Sequence, residues 1–143
     1  MLVKHILREK GRDVVVVSGD ATLSEAAQVL SQRRIGAIVV RDANNPVAGI
    51  LSERDIINAL AAESVNALAR PVSAHMTRRV STCREDDSIN DLMELMTRKR
   101  FRHVQVMDGD KLVGIVSIGD VVKMRIAETE AEAESLRGYI AAG

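Results

Sequence analysis

The chain has 143 residues, 46% of them hydrophobic, and 20 Lys and Arg residues balance 20 Asp and Glu residues. The resulting formal net charge of zero argues against a global basic field that would attract nucleic acid or an anionic membrane surface. One Cys, one Phe, one Tyr and no Trp argue against a disulfide framework, a cysteine-rich zinc site and an aromatic platform for stacking bases.

The N-terminal stretch MLVKHILREKG predicts a short leading helix and lacks the apolar core of a signal peptide. No apolar run approaches the roughly 20 residues that a membrane-spanning helix needs. We therefore expect a soluble protein in a reduced, cytoplasmic compartment.

The elements of the first half follow from its hydrophobic periodicity. The β-branched run at 14–17 predicts a strand, and TLSEAAQVLSQRR predicts a helix with Thr22 as N-cap and Glu25 three residues later. Residues 35–40 predict a second strand and residues 42–46 a turn. VAGILS then predicts a third strand and ERDIINALAAE a second helix.

The second half repeats this order after a linker, ALARPVSAHMT, in which Pro71 marks a break. The stretches VSTC, HVQVM and LVGIVS predict strands, and an Asp-Gly turn joins the last two. SINDLMELMTRKR and GDVVKMRIAE predict helices. Residues 129–143 predict an acidic helical tail.

The two halves are internal repeats of each other. GILSERD at 49–55 returns as GIVSIGD at 114–120, and Leu23 returns as Ile89, at offsets of 65 and 66 residues. Each repeat therefore has the order β-α-β-β-α, which predicts an α+β fold. Because one such unit cannot cover its own three-stranded sheet, we expect two repeats related by pseudo-twofold symmetry and packed as one module.

The two Ser-x-x-Asp stretches have two interpretations. Ser at an N-cap with an acid three residues later is the pattern of a capping box, which only stabilises a helix. The same geometry suits a nucleotide, because N–H groups at a helix N-terminus bind phosphate and a carboxylate accepts ribose hydroxyls. The preceding glycines, Gly49 and Gly114, allow a ligand or another chain segment to approach closely.

A β-α-β-β-α unit that ends in Gly, two apolar residues and Ser-x-x-Asp, and that occurs twice, resembles the tandem CBS domain pair, or Bateman module. IGAIVVRD, FRHVQVMDGDKLVG, GIVSIGDVV and RPVSAHMTRRVST are similar to the family's characteristic segments in order and spacing. The resemblance divides the chain into a first repeat with the leading helix at 1–62, a second repeat at 72–128, and the helical tail at 129–143.

The resemblance implies a regulatory sensor that is not an enzyme and requires no cofactor. Such modules bind adenosine-containing ligands, among them AMP, ADP, ATP, NAD(H) and S-adenosylmethionine, in two clefts between the repeats. The implied partners are this nucleotide, a second copy in a flat homodimer paired through its helices, and a regulated protein of unknown identity. We expect a stand-alone module with no attached effector domain.

Each implied cleft combines the Ser-x-x-Asp stretch of one repeat with the first strand and the helix-to-strand corner of the other. The first cleft would use Ser52, Arg54 and Asp55 with Ser81, Phe101, Arg102 and His103. The second cleft would use Ser117, Gly119 and Asp120 with Val15, Ile35, Gly36 and Ala37. Because the first cleft contains two arginines, it should accept a polyphosphate or a dinucleotide. The second cleft has less cationic charge and should suit AMP or stay empty.

Other candidate sites have structural explanations. The basic run RKRFRH at 98–103 is largely a helix end, where cations suit the helix dipole, so we expect no nucleic-acid partner. The three histidines are scattered, which predicts no metal site. Cys83 is expected to be a small apolar filler, and no set of nucleophile, base and orienting residue occurs.

The competing interpretation is a protein-interaction module with degenerate clefts and no ligand. In that case both Asp residues would only cap helices. An enzyme that transforms a nucleotide is a third possibility, but the sequence shows no acid–base machinery for it. Tyr139 and Ile140 in the tail could dock on a neighbouring subunit.

Overall fold

The computed structural model describes residues 1–78 and 80–142; Arg79 and Gly143, which belong to the approach to the second repeat and to the tail, lie outside the described residues. Contacts divide the chain into two compact units. The central unit is Val14–Val80, and the terminal unit combines Met1–Asp13 with Ser81–Gly143. The terminal unit therefore contains both ends of the chain.

The elements within each unit follow the predicted order β-α-β-β-α. The α-helices are α1 (Val3–Lys10), α2 (Leu23–Arg33), α3 (Glu53–Glu63), α4 (Ile89–Lys99) and α5 (Ile118–Ala142). The strands are β1 (Val16–Ser18), β2 (Ala37–Arg41), β3 (Gly49–Ser52), β4 (Thr82–Cys83), β5 (His103–Asp108) and β6 (Lys111–Ser117). The predicted α+β class is confirmed.

Each unit builds the same three-stranded sheet. In the central unit β1 pairs in parallel with β2, and β2 pairs antiparallel with β3. In the terminal unit β4, β5 and β6 pair in the same order and directions. The predicted Asp-Gly turn joins β5 to β6, and Gly109 adopts the positive φ of 60° that such a turn requires.

The segment predicted as a linker is packed into the central unit. This segment, residues 67–77, and the three residues before it form two short 3₁₀ segments, Ser64–Ala69 and Val72–Ala74. Ala67 and Val72 are fully buried in the central core with side chains from α2 and the sheet. The Val72 N–H donates to the Ala21 carbonyl at 2.7 Å, which fixes the segment beside α2.

The leading helix α1 packs in the terminal unit, although it precedes the first repeat in the chain. Its apolar residues Val3, Ile6 and Leu7 are at most 2% exposed and belong to the same core as β5, β6 and α4. The predicted last helix and acidic tail form one continuous helix of 25 residues, α5. Within residues 1–78 and 80–142, no helix combines the length and apolar character that a membrane span needs.

Candidate functional site

The first Ser-x-x-Asp stretch starts helix α3. The Ser52 N–H donates to Asp55 Oδ2 at 2.9 Å, and the Asp55 N–H donates to Ser52 Oγ at 3.3 Å. This reciprocal pair is a capping box, as the pattern predicts. The Thr77 hydroxyl also donates to Asp55 Oδ1 at 3.3 Å. Among residues 1–78 and 80–142, the groups that donate to this half-buried carboxylate are neutral.

The second stretch starts helix α5 with the same geometry but a different neighbour. The Ser117 N–H donates to Asp120 Oδ2 at 2.8 Å, and the Asp120 N–H donates to Ser117 Oγ at 3.1 Å. Lys10 at the end of α1 places its ammonium group 2.6 Å from the same Oδ2. Lys10 Nζ also donates to the Ile115 carbonyl at 3.0 Å, which holds the cation in place.

The environment of Asp120 favours its ionised form. Burial acts to raise the pKa of this carboxyl, but hydrogen bonds from Lys10 and Ser117 and the charge of Lys10 outweigh it, so the pKa lies below its ordinary value. The half-buried ion pair leaves the Asp120 side chain 23% exposed. A carboxylate that stays ionised and remains accessible can still accept hydroxyl donors.

Each Ser-x-x-Asp stretch is preceded by a glycine because another segment of the chain lies too close to this position to leave room for a side chain. A Cβ added at Gly49 would lie 2.7 Å from the Thr77 carbonyl oxygen, and one added at Gly114 would lie 2.6 Å from Leu7 Cδ2. In both units it is therefore another segment of the same unit that comes close. Thr77 and α1 thus take equivalent places beside the two motifs.

The helix-to-strand corner of the central unit lies next to its own Ser-x-x-Asp stretch. Ala37 is opposite Ser52 in the sheet register, and the Glu53 N–H donates to the Gly36 carbonyl at 3.0 Å. The other predicted residues of this unit are half-buried Val15 and Ile35 and exposed Arg54.

The corner of the terminal unit repeats that arrangement. His103 is opposite Ser117 in the sheet register, and the Ile118 N–H donates to the Arg102 carbonyl at 2.8 Å. The carbonyl of Ser81 accepts from the Gln105 N–H at 3.2 Å, as the Val15 carbonyl accepts from Val39 at 3.1 Å. The remaining residues are half-buried Phe101 and exposed Gly119.

Each unit therefore brings together one Ser-x-x-Asp stretch and one corner, which we call a half-site. The central half-site comprises Val15, Ile35, Gly36, Ala37, Ser52, Arg54 and Asp55. The terminal half-site comprises Ser81, Phe101, Arg102, His103, Ser117, Gly119 and Asp120. The two clefts expected from the sequence would each combine residues of both half-sites, and that combination stays a prediction.

Two residues beside the half-sites are not indicated by any pattern in the sequence. Lys10 is 110 residues from its partner Asp120 in the chain, so no local pattern connects them. Thr77 lies at the end of the segment predicted as a linker, and its β-bridge with Ile50 places it where its hydroxyl reaches Asp55. The internal repeat does not indicate either residue, because Lys10 and Thr77 do not occupy equivalent positions in the two repeats.

Cys83 behaves as the sequence predicts. Its side chain is 5% exposed and belongs to the terminal core. Burial, with a smaller contribution from the charge of Asp87, raises the pKa of its thiol to about 12. Among the described residues no three His, Cys, Asp or Glu side chains are grouped so that they could hold a metal ion.

An open groove of about 570 Å³ lies on the surface of the central unit between α2 and α3. Ile56 and Ile57 of α3 and Leu30 of α2 form its apolar lining, and Arg34 and Glu53 supply charges. Ile57 is 64% exposed, so this helical surface has an uncovered apolar side chain.

Comparison with models of known protein families identifies the family of this chain. The model of the CBS domain matches twice, at residues 3–62 and 72–126. The chain belongs to the CBS domain family. It holds two CBS repeats, and the predicted tandem pair is confirmed.

Solved CBS structures have the same fold. The CBS-domain containing protein ATU1752 from Agrobacterium tumefaciens is 48% identical; the match covers 87% of this chain and 98% of that one, with a TM-score of 0.82. The chain spans 66% of the length of a 17.7 kDa protein of Acidianus ambivalens, at 36% identity over 111 residues. It spans 23% of an Arabidopsis thaliana CBS domain-containing protein that is 28% identical.

Two similar CBS structures are complexes with adenosine compounds. PAE2072 from Pyrobaculum aerophilum, complexed with AMP, is 30% identical over 84% of this chain and 89% of that one, with a TM-score of 0.74. The CBS domain pair of MJ0100, in complex with 5′-methylthioadenosine and S-adenosyl-L-methionine, is 26% identical over 90% of this chain and 98% of that one, with a TM-score of 0.79.

Proposed function

We propose that this chain is a regulatory module that binds adenosine-containing ligands of the AMP, ATP or NAD(H) type and catalyses no reaction. The observation that carries the proposal is the pair of equivalent half-sites, each with an accessible Asp carboxylate at a helix N-terminus. CBS relatives of known structure bind AMP or S-adenosylmethionine and 5′-methylthioadenosine, which supports an adenosine ligand here.

In this proposal, the carboxylates of Asp55 and Asp120 accept ribose hydroxyls. Ser52 and Ser117, with the N–H groups that begin α3 and α5, hold phosphate. The corner of the opposite half-site contacts the base, so each cleft needs both repeats. Binding would favour one arrangement of the repeats by population shift and so pass the signal to a regulated partner.

The Lys10 ammonium changes the charge expected of the cleft that contains Asp120. The sequence supplies Arg54 and Arg102 to the other cleft and predicts little cationic charge here. Because Lys10 neutralises Asp120, a ligand phosphate near this carboxylate meets less repulsion. We therefore propose AMP as the ligand of this cleft.

The test is a ligand panel measured by calorimetry and thermal unfolding on the wild type, Asp55→Ala and Asp120→Ala. The panel contains AMP, ADP, ATP, NAD, NADH, S-adenosylmethionine and 5′-methylthioadenosine. A ligand at a hundred times its dissociation constant should stabilise the wild type by about 2.7 kcal/mol. Each variant should stay folded and lose binding at one cleft.

Asp91→Ala is the matched control. Asp91 lies three residues after the N-cap Ser88 of α4, and its N–H donates to Ser88 Oγ at 3.0 Å, but neither residue belongs to a half-site. Removing this carboxylate should alter helix stability without changing ligand affinity. If Asp91→Ala lowers ligand affinity as much as the other two variants do, the effect is one of stability and not of recognition.

The capping boxes favour one alternative function, a protein-interaction module whose Asp residues only stabilise helices. That alternative is correct if no ligand of the panel shifts the unfolding midpoint and each Asp→Ala change costs about 1 kcal/mol, as loss of a cap does. An altered nucleotide recovered after incubation would instead reveal an enzyme.

We also propose a homodimer paired through helices. The uncovered apolar side chain of Ile57 and the groove between α2 and α3 support a helical contact surface in the central unit.

A further inference from the structure

Helix α5 has two apolar faces. Val121 and Met124 are buried in the core of the terminal unit, and the half-buried Glu128 pairs with the N-terminal amino group. On the opposite side of the helix, Val122 is 46% exposed and Ile126 54% exposed. The second face is therefore uncovered by the chain itself.

The uncovered face continues to the end of the helix as a regular stripe. We call it the α5 seam, and its members are Val122, Ile126, Thr129, Ala133, Leu136 and Ile140. Their spacing alternates between four and three residues, which is the a and d pattern of a coiled coil. Leu136 and Ile140 are 60% and 69% exposed.

The second half of α5 cannot owe its helical form to its own unit. Between residues 129 and 142 every side chain is exposed except the half-buried Ala133. An isolated helix of this length is marginal in water, since most helices depend on packing of an apolar face. A partner along the seam would supply that packing.

The charges beside the seam select the partner. Arg125 and Glu132 lie at g positions, and Glu130 and Arg137 lie at e positions. In a parallel in-register pair of identical helices, each g residue meets the e residue five positions later in the other chain. Arg125 then faces the partner's Glu130, and Glu132 faces the partner's Arg137, so all four contacts of the pair are attractive.

Antiparallel pairings fit less well. An antiparallel pair that aligns the same seam residues places Glu130 and Glu132 opposite their own counterparts in the partner, which is repulsive. An antiparallel shift that matches the charges leaves either Ile140, or Val122 and Ile126, beyond the overlap. We therefore propose that the α5 seam binds the α5 seam of a second copy as a parallel two-stranded coiled coil.

The decisive experiment is site-specific cross-linking of the full chain. Leu136 is at a d position, so in a parallel pair it faces the partner's Leu136 at a separation that suits a disulfide. Leu136→Cys should form a covalent dimer under mild oxidation. Ser135→Cys is the control, because Ser135 is the exposed neighbour that lies off the seam.

The native cysteine does not interfere, because Cys83 is 5% exposed and the pKa of its thiol is raised to about 12. Covalent dimer from Leu136→Cys in clear excess over Ser135→Cys supports the parallel coiled coil. Equal yields, or no dimer from either, would overturn it. An antiparallel register that aligns Leu136 with the partner's Ala133 would also bring the two copies of residue 136 close. That register pairs Arg137 with Glu130 and not with Glu132, so the charge-reversal series below distinguishes it.

A charge-reversal series separates the seam from any other dimer contact. Glu132→Arg alone and Arg137→Glu alone, each combined with Leu136→Cys, should lower the yield of cross-linked dimer. The double reversal should restore it, because the attraction between positions 132 and 137 of opposite chains returns. Failure of the double reversal to restore the yield would contradict the parallel register. None of these measurements depends on ligand binding, so they test the seam separately from the proposed sensor function.

Discussion

At the scale of single residues, Asp55 and Asp120 occupy equivalent positions but have different partners. Both accept the N–H of the Ser three residues earlier. Asp55 receives a Thr77 hydroxyl, whereas Asp120 receives the Lys10 ammonium at 2.6 Å. A repeated motif can thus acquire two electrostatic characters when residues outside the repeat pattern supply the neighbours.

Lys10→Met should lower the free energy of unfolding at neutral pH. It should also make the free energy of unfolding change less as the pH is lowered. The pKa of Asp120 lies below its ordinary value because the hydrogen bonds from Lys10 and Ser117 outweigh burial. Its ionised form therefore stabilises the fold above its ordinary pKa of about 3.9, and this contribution is lost as pH falls from there through the lower folded value. We expect a difference of about 1 kcal/mol between wild type and Lys10→Met at pH 7 that disappears in acid.

Urea unfolding from pH 7 to pH 2 measures this difference. Lys4→Met is the control on the same helix, because Lys4 lies 3.5 Å from Asp86, whose side chain is 86% exposed. A surface pair of this kind contributes little. A pH-independent difference for Lys10→Met would show that packing of the lysine stem, and not the ion pair, supports the fold.

At the scale of elements, α2 and α4 end in the same way. Arg34 and Arg100 follow the two helices in the left-handed conformation, with φ of 54° and 58°. This conformation costs a residue with a side chain roughly 1–2 kcal/mol, which is why Gly is preferred at such helix ends. This unfavourable conformation therefore occurs at both corners that lead into the half-sites.

Arg34→Gly should raise the free energy of unfolding by roughly 0.5–1 kcal/mol, because relief of the left-handed strain exceeds the added freedom of the unfolded chain. Arg33→Gly tests the opposite sign one residue earlier, where the residue is still helical and Gly should cost about 1 kcal/mol. Chemical denaturation of both variants gives the comparison. Destabilisation by Arg34→Gly would mean that contacts of the arginine side chain outweigh the strain.

Sequence patterns predicted these elements where the cause is local. Thr22 caps α2 and Glu25 returns the hydrogen bond, as the pattern indicates, because both groups lie within one turn. The segment around Pro71 was instead predicted as a linker, since its burial in the central unit depends on partners distant in the chain. Lys10 could not be predicted for the same reason, because the packing of α1 in the terminal unit brings it to Asp120. For the half-sites, the repeat indicated Ser and Asp and the resemblance to the CBS family implied the corner residues. Neither indicated the neighbours that set the charge of each half-site.

At the scale of the whole molecule, the terminal unit is assembled from the two ends of the chain. Helix α1 contributes Val3, Ile6 and Leu7 to a core whose other members come after residue 81. Hydrogen bonds from the N–H groups of Val3 and Lys4 to the carbonyls of Asp87 and Glu85, all at 2.9 Å, attach the start of α1 to the loop before α4. The terminal unit therefore cannot complete its core from residues 81–142 alone.

Val3→Ala should destabilise the terminal unit in particular. Val3 is 0% exposed, so removal of two methyl groups loses their burial and leaves a cavity, at a cost of roughly 2–3 kcal/mol. Val65→Ala is the matched control, because Val65 is 70% exposed and its truncation should change stability by less than about 0.5 kcal/mol.

Hydrogen exchange locates the effect of Val3→Ala along the chain. Amide protection should fall most in β5 and β6, which share a core with Val3, although more than 95 residues of sequence separate them from it. A loss of protection confined to α1 would show that this helix frays independently and that the ends of the chain do not fold as one unit. A loss centred on β5 and β6 would show that α1 completes the core of the terminal unit and so fixes Lys10 beside Asp120.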